Sequence, residues 1–175
     1  YYPIWHFEVE DLLVLKNNKG TEDNRVRHMD YGVQFNKLMY ERLLTGGEIT
    51  LFSPSDVPGL YEAFFNDQDQ FKYLYEKAEV HPDIRKKTIP AIELFSQFME
   101  ERKNTGRVYL MNVDHANTHS SFDESIAPVH QSNLCCEIDL PTKPLNSFDD
   151  EEGEIALCTL SAINWGNIKK PEDFK

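Results

Sequence analysis

The pattern that most constrains the fold is strand, helix, strand between residues 31 and 52. Residues 31–35 read YGVQF, which is typical of a buried strand, and Asn36 directly after them predicts a helix N-cap. A helical pattern of apolar residues follows and ends at Gly46-Gly47, and residues 49–52 predict a second strand. Two strands joined by one short helix form a parallel crossover unit, so the chain is predicted to have an α/β fold.

The remaining apolar patterns predict further elements of the same kind. We predict a helix at residues 8–17, two helices within 59–79 that are separated near 67–70, and a helix at 88–103 with Thr88 as its cap and Pro90 in its first turn. We predict strands at residues 107–113 and 155–161. Polar loops are predicted at residues 20–24, 114–129 and 149–154. The four strands are expected to share one mainly parallel sheet, with the helices outside it.

Composition excludes several classes of function. The chain has 175 residues, of which 40% are hydrophobic, and this is enough to bury a core. A net charge of −12 argues against nucleic acid or an anionic membrane as the main partner. No apolar run approaches the length of a transmembrane helix. Three cysteines give no disulfide framework, which indicates a reducing compartment such as the cytoplasm.

The segment with the most chemistry holds Asn133, Cys135 and Glu137 at alternate positions. In an extended segment these three side chains would face one spot, where an amide, a thiol and a carboxylate could orient a substrate, act as nucleophile or radical carrier, and accept a proton. Cys158 lies in a second strand-like segment that could pass close by. Cys136 would face away as a small buried hydrophobe. Judged by residue types alone, Cys135 and Cys158 could equally be buried core thiols.

Three histidines raise the question of a metal. His115 and His119 are four residues apart, a spacing that could hold a metal on a helix, and His130 lies beyond them. The polar residues around them indicate a loop instead, so we predict no metal site. Gly46-Gly47 is too short to cradle a phosphate.

Several of these segments resemble one known family. Ser132-Asn133-Leu134-Cys135, then Glu137, and the segment ALCTLS at residues 156–161 closely resemble the catalytic centre of the large subunit of class I aerobic ribonucleoside-diphosphate reductases. Residues 6–18, 30–44, 51–61 and 107–119 resemble the same family in the same order. The resemblance implies that residues 1–175 are a single internal segment of a ten-stranded α/β barrel, truncated at both ends. The Cys135 segment would be the finger loop in the barrel centre.

The resemblance also implies roles for these residues. Cys135 would carry the thiyl radical that takes the 3′ hydrogen of the nucleotide, and Glu137 would be the base for the 3′ hydroxyl. Asn133 would hold the ribose hydroxyls, with Leu134 also contacting the substrate. Cys158 would be half of the redox dithiol, and its partner lies outside this chain. No metal is implied in this segment.

The implied activity is the reduction of ribonucleoside diphosphates to deoxyribonucleotides for DNA synthesis. The implied partners are the rest of the large subunit, a radical-generating small subunit that contains metal, a thioredoxin- or glutaredoxin-type reductant, and ATP or dNTP effectors. No cofactor is expected in this segment itself, and no nucleic acid or membrane as a direct partner. We expect the chain to be inactive alone. One alternative is a non-catalytic split or truncated piece that only associates with other reductase chains. A glycyl-radical enzyme is disfavoured because the glycine loop is missing.

Overall fold

A computed structural model describes residues 1–17, 21, 23, 25–26 and 28–174. The predicted polar loop at residues 20–24 lies in part outside these residues. The strands are β1 (Tyr2–Pro3), β2 (Tyr31–Phe35), β3 (Glu48–Phe52), β4 (Lys86–Pro90) and β5 (Val108–Asn112). The α-helices are α1 (Val9–Leu13), α2 (Lys37–Leu44), α3 (Leu60–Asn66), α4 (Gln68–Val80), α5 (Ala91–Thr105) and α6 (Val113–Thr118). Single 3₁₀ turns occur at Pro54–Asp56, Trp165–Asn167 and Pro171–Phe174.

The centre of the fold is a parallel sheet in the order β1-β2-β5. All five residues of β2 are buried, as expected of a central parallel strand that is covered on both faces. The segment after β1 reaches β3 through a parallel bridge between His6 and Phe52. The predicted strands at 31–35, 49–52 and 107–113 are therefore confirmed. The prediction that they share one sheet is wrong for β3, which forms a second, two-stranded sheet with β4 and is joined to the parallel sheet through this bridge.

One strand was missed by the sequence pattern. Residues 86–90 form β4, which pairs antiparallel with β3, whereas we predicted that a helix capped by Thr88 begins here. The helix α5 begins only at Ala91. Pro90 explains the difference, because the residue before a proline is disfavoured in the helical region and Ile89 is held in the extended pairing with Ile49. β4 thus adds one antiparallel pair to a fold whose other paired strands are parallel.

The helix boundaries follow local capping. The Asn36 side chain accepts from the Met39 backbone N–H at 3.4 Å, which confirms the predicted cap of α2. The predicted break between two helices falls at Asp67, whose carboxylate accepts from the Gln70 N–H at 2.9 Å. Gly106 ends α5 with a φ of 67°, a left-handed conformation that suits glycine.

Two helical predictions need correction. The helix predicted at residues 8–17 is shorter than expected and comprises only α1, which ends at Leu13. Beyond it the Leu15 carbonyl accepts from Val26 N–H at 3.0 Å instead of from a later residue of the same helix. The loop predicted at residues 114–129 instead begins with α6, which places His115 on a short helix and His119 at its C-cap, with ring centroids 5.2 Å apart. Helix α6 starts directly at the end of β5, so its packing against the sheet overrides the weak helix propensity of its polar sequence.

The last third of the chain differs most from expectation. No strand forms at residues 155–161, and 139–164 hold no helix or strand. Ile155, Leu157 and Leu160 are 69%, 80% and 85% exposed, so the apolar alternation is present but has nothing to pack against. A strand needs a hydrogen-bonded neighbour, and no described strand pairs with this segment. The predicted four-stranded arrangement is therefore wrong at this position.

The core lies between the sheet and the helices. Trp5 is fully buried, with its ring 5.6 Å from that of Phe64 and 5.9 Å from that of Phe71. A second group joins Phe35 of β2 to Phe95 and Phe98 of α5, each at a centroid distance of 5.1 Å. These aromatic residues belong to the core, and they make the sheet a rigid support for the loops at its edge.

Candidate active site

The segment with the candidate residues is a loop against the parallel sheet. Gln34 of β2 donates its side-chain amide to His130 O at 2.8 Å, and the Cys136 thiol donates to Leu110 O of β5 at 3.5 Å. Val129 at the start of the loop is fully buried. The loop therefore has two contacts with neighbouring strands of the core.

Within this loop Asn133 organises a compact turn. Its side-chain oxygen accepts from the backbone N–H groups of Glu137 and Ile138, both at 3.1 Å, and its carbonyl accepts from Cys136 N–H at 3.1 Å. The predicted extended geometry, with alternate side chains facing one spot, is wrong. An asparagine side chain that bonds to nearby backbone competes with strand pairing, and here it prevails.

The turn still places amide and carboxylate side by side. Asn133 Nδ2 donates to Glu137 Oε1 at 2.7 Å. The Cys158 thiol reaches the same oxygen at 3.9 Å, so the downstream segment does return to the turn. Three of the four predicted catalytic residues are therefore in contact through one carboxylate oxygen, which can accept a proton from a neighbouring group.

The fourth residue, Cys135, lies in the same turn and is exposed. Within the described part of the chain its thiol makes no hydrogen bond. Neither Cys135 nor Cys158 is a buried core thiol, which removes that alternative. Cys136 differs from both, because it is half-buried and packs against the core, as the sequence predicted.

A cleft of about 250 Å³ opens beside the turn, between residues 131–142 and 154–158. Asn133 and Cys158 both line it. Small-molecule sites usually have volumes of roughly 300–1,000 Å³, so this cleft is large enough for only part of a typical small-molecule ligand.

Tyr1 is a contact of this turn that sequence reasoning missed. Its hydroxyl donates to Asn133 O at 3.1 Å and to Leu134 O at 3.0 Å. Burial raises the pKa of the Tyr1 phenol, and the neighbouring Cys136 raises it further, so the phenol stays protonated as a donor. Nothing in the sequence around Tyr1 signals this contact. Gln34 did carry a signal, as the single polar side chain of a buried apolar strand.

Among the residues that the structure describes, no group of three or more His, Cys, Asp or Glu side chains is arranged to hold a metal ion. In the same part of the chain, no helix is long and apolar enough to cross a membrane.

Comparison with known proteins identifies the family. A family model described as the ribonucleotide reductase barrel domain matches residues 1–175. The chain is 71% identical over 169 residues to the ribonucleoside-diphosphate reductase subunit alpha of Haemophilus influenzae, covering 97% of this chain and 22% of that protein.

Other relatives are also large or alpha subunits of ribonucleoside-diphosphate reductases. The subunit alpha of ribonucleoside-diphosphate reductase 1 from Escherichia coli is 70% identical over 146 residues, covering 83% of this chain and 19% of that protein. The large subunit from Dictyostelium discoideum is 32% identical over 163 residues, covering 93% of this chain and 17% of that protein. The chain spans about a fifth of the length of these relatives.

Proposed function

This chain belongs to the ribonucleotide reductase barrel-domain family, and we propose that it supplies part of the site at which a ribonucleoside-diphosphate reductase converts ribonucleotides to 2′-deoxyribonucleotides. One observation carries the proposal most. Glu137 Oε1 accepts from both the Asn133 amide and the Cys158 thiol, in the turn that also presents Cys135. The family's chemistry needs these same residue types together.

The proposed reaction begins at Cys135. A ribose C–O bond is a poor target for polar displacement, but a radical on the neighbouring carbon lets the hydroxyl leave readily. A thiyl radical on Cys135 would take the 3′ hydrogen of the nucleotide, forming an S–H bond and a C3′ radical. The exposed position of Cys135 suits contact with a substrate that enters from outside the turn.

Glu137 and Asn133 would act on the substrate hydroxyls. The Glu137 carboxylate would accept the proton of the 3′ hydroxyl, while the protonated 2′ hydroxyl leaves as water. The Asn133 amide and Leu134 would orient the ribose, and holding reactants in place is a large part of catalysis. The hydrogen bond between Asn133 and Glu137 keeps both groups on the same side of the turn.

Cys158 would supply the electrons together with a second cysteine outside this chain. Oxidation of two thiols to a disulfide releases two electrons and two protons, which balances the loss of the 2′ hydroxyl as water. The 3′ hydrogen then returns from Cys135 to the sugar, and the thiyl radical is formed again. The position of Cys158 beside Glu137 supports this role.

The partners follow from the proposed reaction. We propose a ribonucleoside diphosphate as substrate, and the remaining large-subunit polypeptide together with a radical-generating small subunit as protein partners. The small subunit's metal centre would supply the radical. A thioredoxin- or glutaredoxin-type reductant would restore the dithiol, ATP or dNTPs would regulate the enzyme, and the cytoplasm would be its compartment. A net charge of −12 is consistent with a chain that does not bind nucleic acid directly.

The test uses the full-length polypeptide that contains this chain, with its small subunit and a labelled nucleoside diphosphate. Cys135→Ser should abolish deoxynucleotide formation, because an alkoxyl radical is too difficult to form. Cys158→Ser should allow loss of the 3′ hydrogen but stall the reduction, so that the substrate decomposes. Cys136→Ala is the matched control and should keep turnover near that of the parent. Equal behaviour of the Cys135 and Cys136 variants would refute the assignment, and no product from the parent would favour the non-catalytic alternative.

A further inference from the structure

We infer that Asn117 is a positioning residue for the proposed reduction, fixing the start of the loop that carries Asn133, Cys135 and Glu137. The inference rests on the proposed function, because it assigns Asn117 a role in that reaction. Asn117 lies on α6, away from the turn itself, and only 3% of it is exposed.

The Asn117 side chain makes two hydrogen bonds to the backbone of one residue, Val129, and so acts as a two-point clamp. Asn117 Nδ2 donates to Val129 O at 3.0 Å, and Asn117 Oδ1 accepts from Val129 N–H at 2.7 Å. The same amide nitrogen donates to Val113 O within α6 at 2.8 Å. The side chain therefore presents to Val129 the donor and acceptor that a neighbouring strand would present.

A second anchor acts on the next residue. Gln34 of β2 is fully buried and holds His130 O at 2.8 Å. Residues 129 and 130 are thus fixed by side chains from two separate elements. Since Asn133 follows shortly after, a shift of this anchor moves the whole turn rather than one side chain.

Few other side chains can replace this clamp. An amide carries both a donor and an acceptor in a fixed plane, whereas a carboxylate only accepts and an aliphatic group does neither. With Leu at position 117, Val129 would keep a buried N–H and C=O without partners, and the loop would be released to find them elsewhere. Asp would restore only the acceptor.

The experiment compares three variants of the full-length polypeptide, Asn117→Leu, Asn117→Asp and the control Thr118→Ala. Thr118 also lies on α6, where its hydroxyl donates to Asp114 O at 2.8 Å, so its loss perturbs the helix without touching Val129. Two properties are measured on each: steady-state kcat and KM with a nucleoside diphosphate, and amide hydrogen exchange of residues 131–138, 31–35 and 108–112.

Asn117→Leu should lower kcat/KM by about 10- to 100-fold, because small displacements of reacting groups cost that much. It should also speed exchange in residues 131–138 by about 10-fold while leaving β2 and β5 unchanged. Asn117→Asp should show the same pattern, and Thr118→Ala should show neither effect.

Unchanged exchange in residues 131–138 of either Asn117 variant would overturn the inference. Uniformly faster exchange through β2 and β5 would also overturn it, because it would show a general structural role. If the parent has no reductase activity but Asn117→Asp still frees residues 131–138, the proposed function fails while the clamp on the loop stands.

Discussion

Two cysteines adjacent in the chain occupy different surroundings. Cys135 is exposed, whereas Cys136 is half-buried with its thiol directed at Leu110 O. Cys136 also has a φ of 62°, in the left-handed region, which costs an ordinary residue about 1–2 kcal/mol. The bonds to Asn133 must hold this conformation, because they close the turn on both sides of Cys136.

The difference between the thiols predicts their order of modification. In the folded 175-residue chain, a maleimide should label Cys135 and Cys158 at least about 10-fold faster than Cys136, since a thiol must be reachable to react. Mass spectrometry of digested samples taken over time measures the three rates. Urea-unfolded chain is the control and should show similar rates at all three positions. Labelling of Cys136 as fast as Cys135 would contradict the packing described here.

Glu137 provides a second prediction at this scale. In the full-length polypeptide, Glu137→Gln should lower kcat by about 10²- to 10⁴-fold, the usual contribution of a general base. The amide oxygen can still accept from Asn133 Nδ2, so the turn should keep its shape and KM should change less than kcat. Glu124→Gln, at a half-buried residue of the preceding loop, is the matched control. A rise in KM with kcat unchanged would instead assign Glu137 to substrate binding.

Residue types made the candidate site predictable, but local geometry did not follow from them. Asn133, Cys135, Glu137 and Cys158 could be selected because their chemistry is distinctive. The alternation that suggested an extended segment failed because the Asn133 side chain captures two backbone N–H groups. Tyr1 and Asn117 could not be selected, because their roles depend on partners that are distant in the sequence. Tyr1 contacts a residue more than a hundred positions away, and Asn117 contacts one that is twelve positions away.

At the scale of elements, Tyr75 links α4 to the edge of β3. Its hydroxyl accepts from Thr50 N–H at 2.7 Å and donates to Thr50 O at 2.6 Å, so it satisfies the two backbone groups that β4 does not pair. Burial raises the pKa of the Tyr75 phenol well above its usual range. The neutral phenol is therefore part of the folded structure.

Tyr75→Phe should destabilise the chain by about 1–3 kcal/mol, because two buried backbone groups lose their partner. This corresponds to a fall of a few degrees in Tm, measured by circular dichroism. Tyr73→Phe on the same helix is the control, since Tyr73 is 58% exposed, and its Tm should stay within about 1 °C of the parent. Equal effects of the two substitutions would contradict this account.

The raised pKa of Tyr75 also gives a pH dependence. The phenol ionises near pH 10 in the unfolded chain but not in the folded one, so its contribution is fully present below pH 10 and is lost as the pH rises further. The stability difference between the parent and Tyr75→Phe should therefore be constant from pH 7 to 9 and shrink above pH 10. Urea unfolding at each pH measures it. A difference that grows above pH 10 would reverse the sign argued here.

Element prediction succeeded where burial was local and failed where pairing was distant. β2 could be read from its own five residues because both its faces are covered. β4 could not, because its polar sequence is strand-like only through its register with β3. Residues 155–161 show the opposite case, an apolar alternation without a partner strand in the described chain.

At the scale of the whole molecule, residues 1–138 contain the core and residues 139–164 contain no helix or strand. Exposed backbone without regular hydrogen bonds is where proteases cut first. Limited chymotrypsin treatment of the 175-residue chain should therefore cleave within residues 139–164, at sites such as Phe148 and Leu157, before it cleaves anywhere in α2, α4 or α5. Mass spectrometry of the first fragments checks this. First cleavage inside those helices would show that the core is not the most stable part.

The same division predicts what the isolated chain can do. Cys135 and Cys158 are open to solvent, and the cleft between their segments is about 250 Å³ and bordered by the irregular residues 154–158. A radical reaction needs an enclosed site, because water and other thiols would otherwise intercept its intermediates. The 175-residue chain, mixed with a small subunit, a dithiol reductant and a labelled nucleoside diphosphate, should therefore form no deoxynucleotide. The full-length polypeptide under the same conditions should form it, and its Cys135→Ser variant sets the background. Turnover by the isolated chain above that background would show that the described residues already enclose a working site.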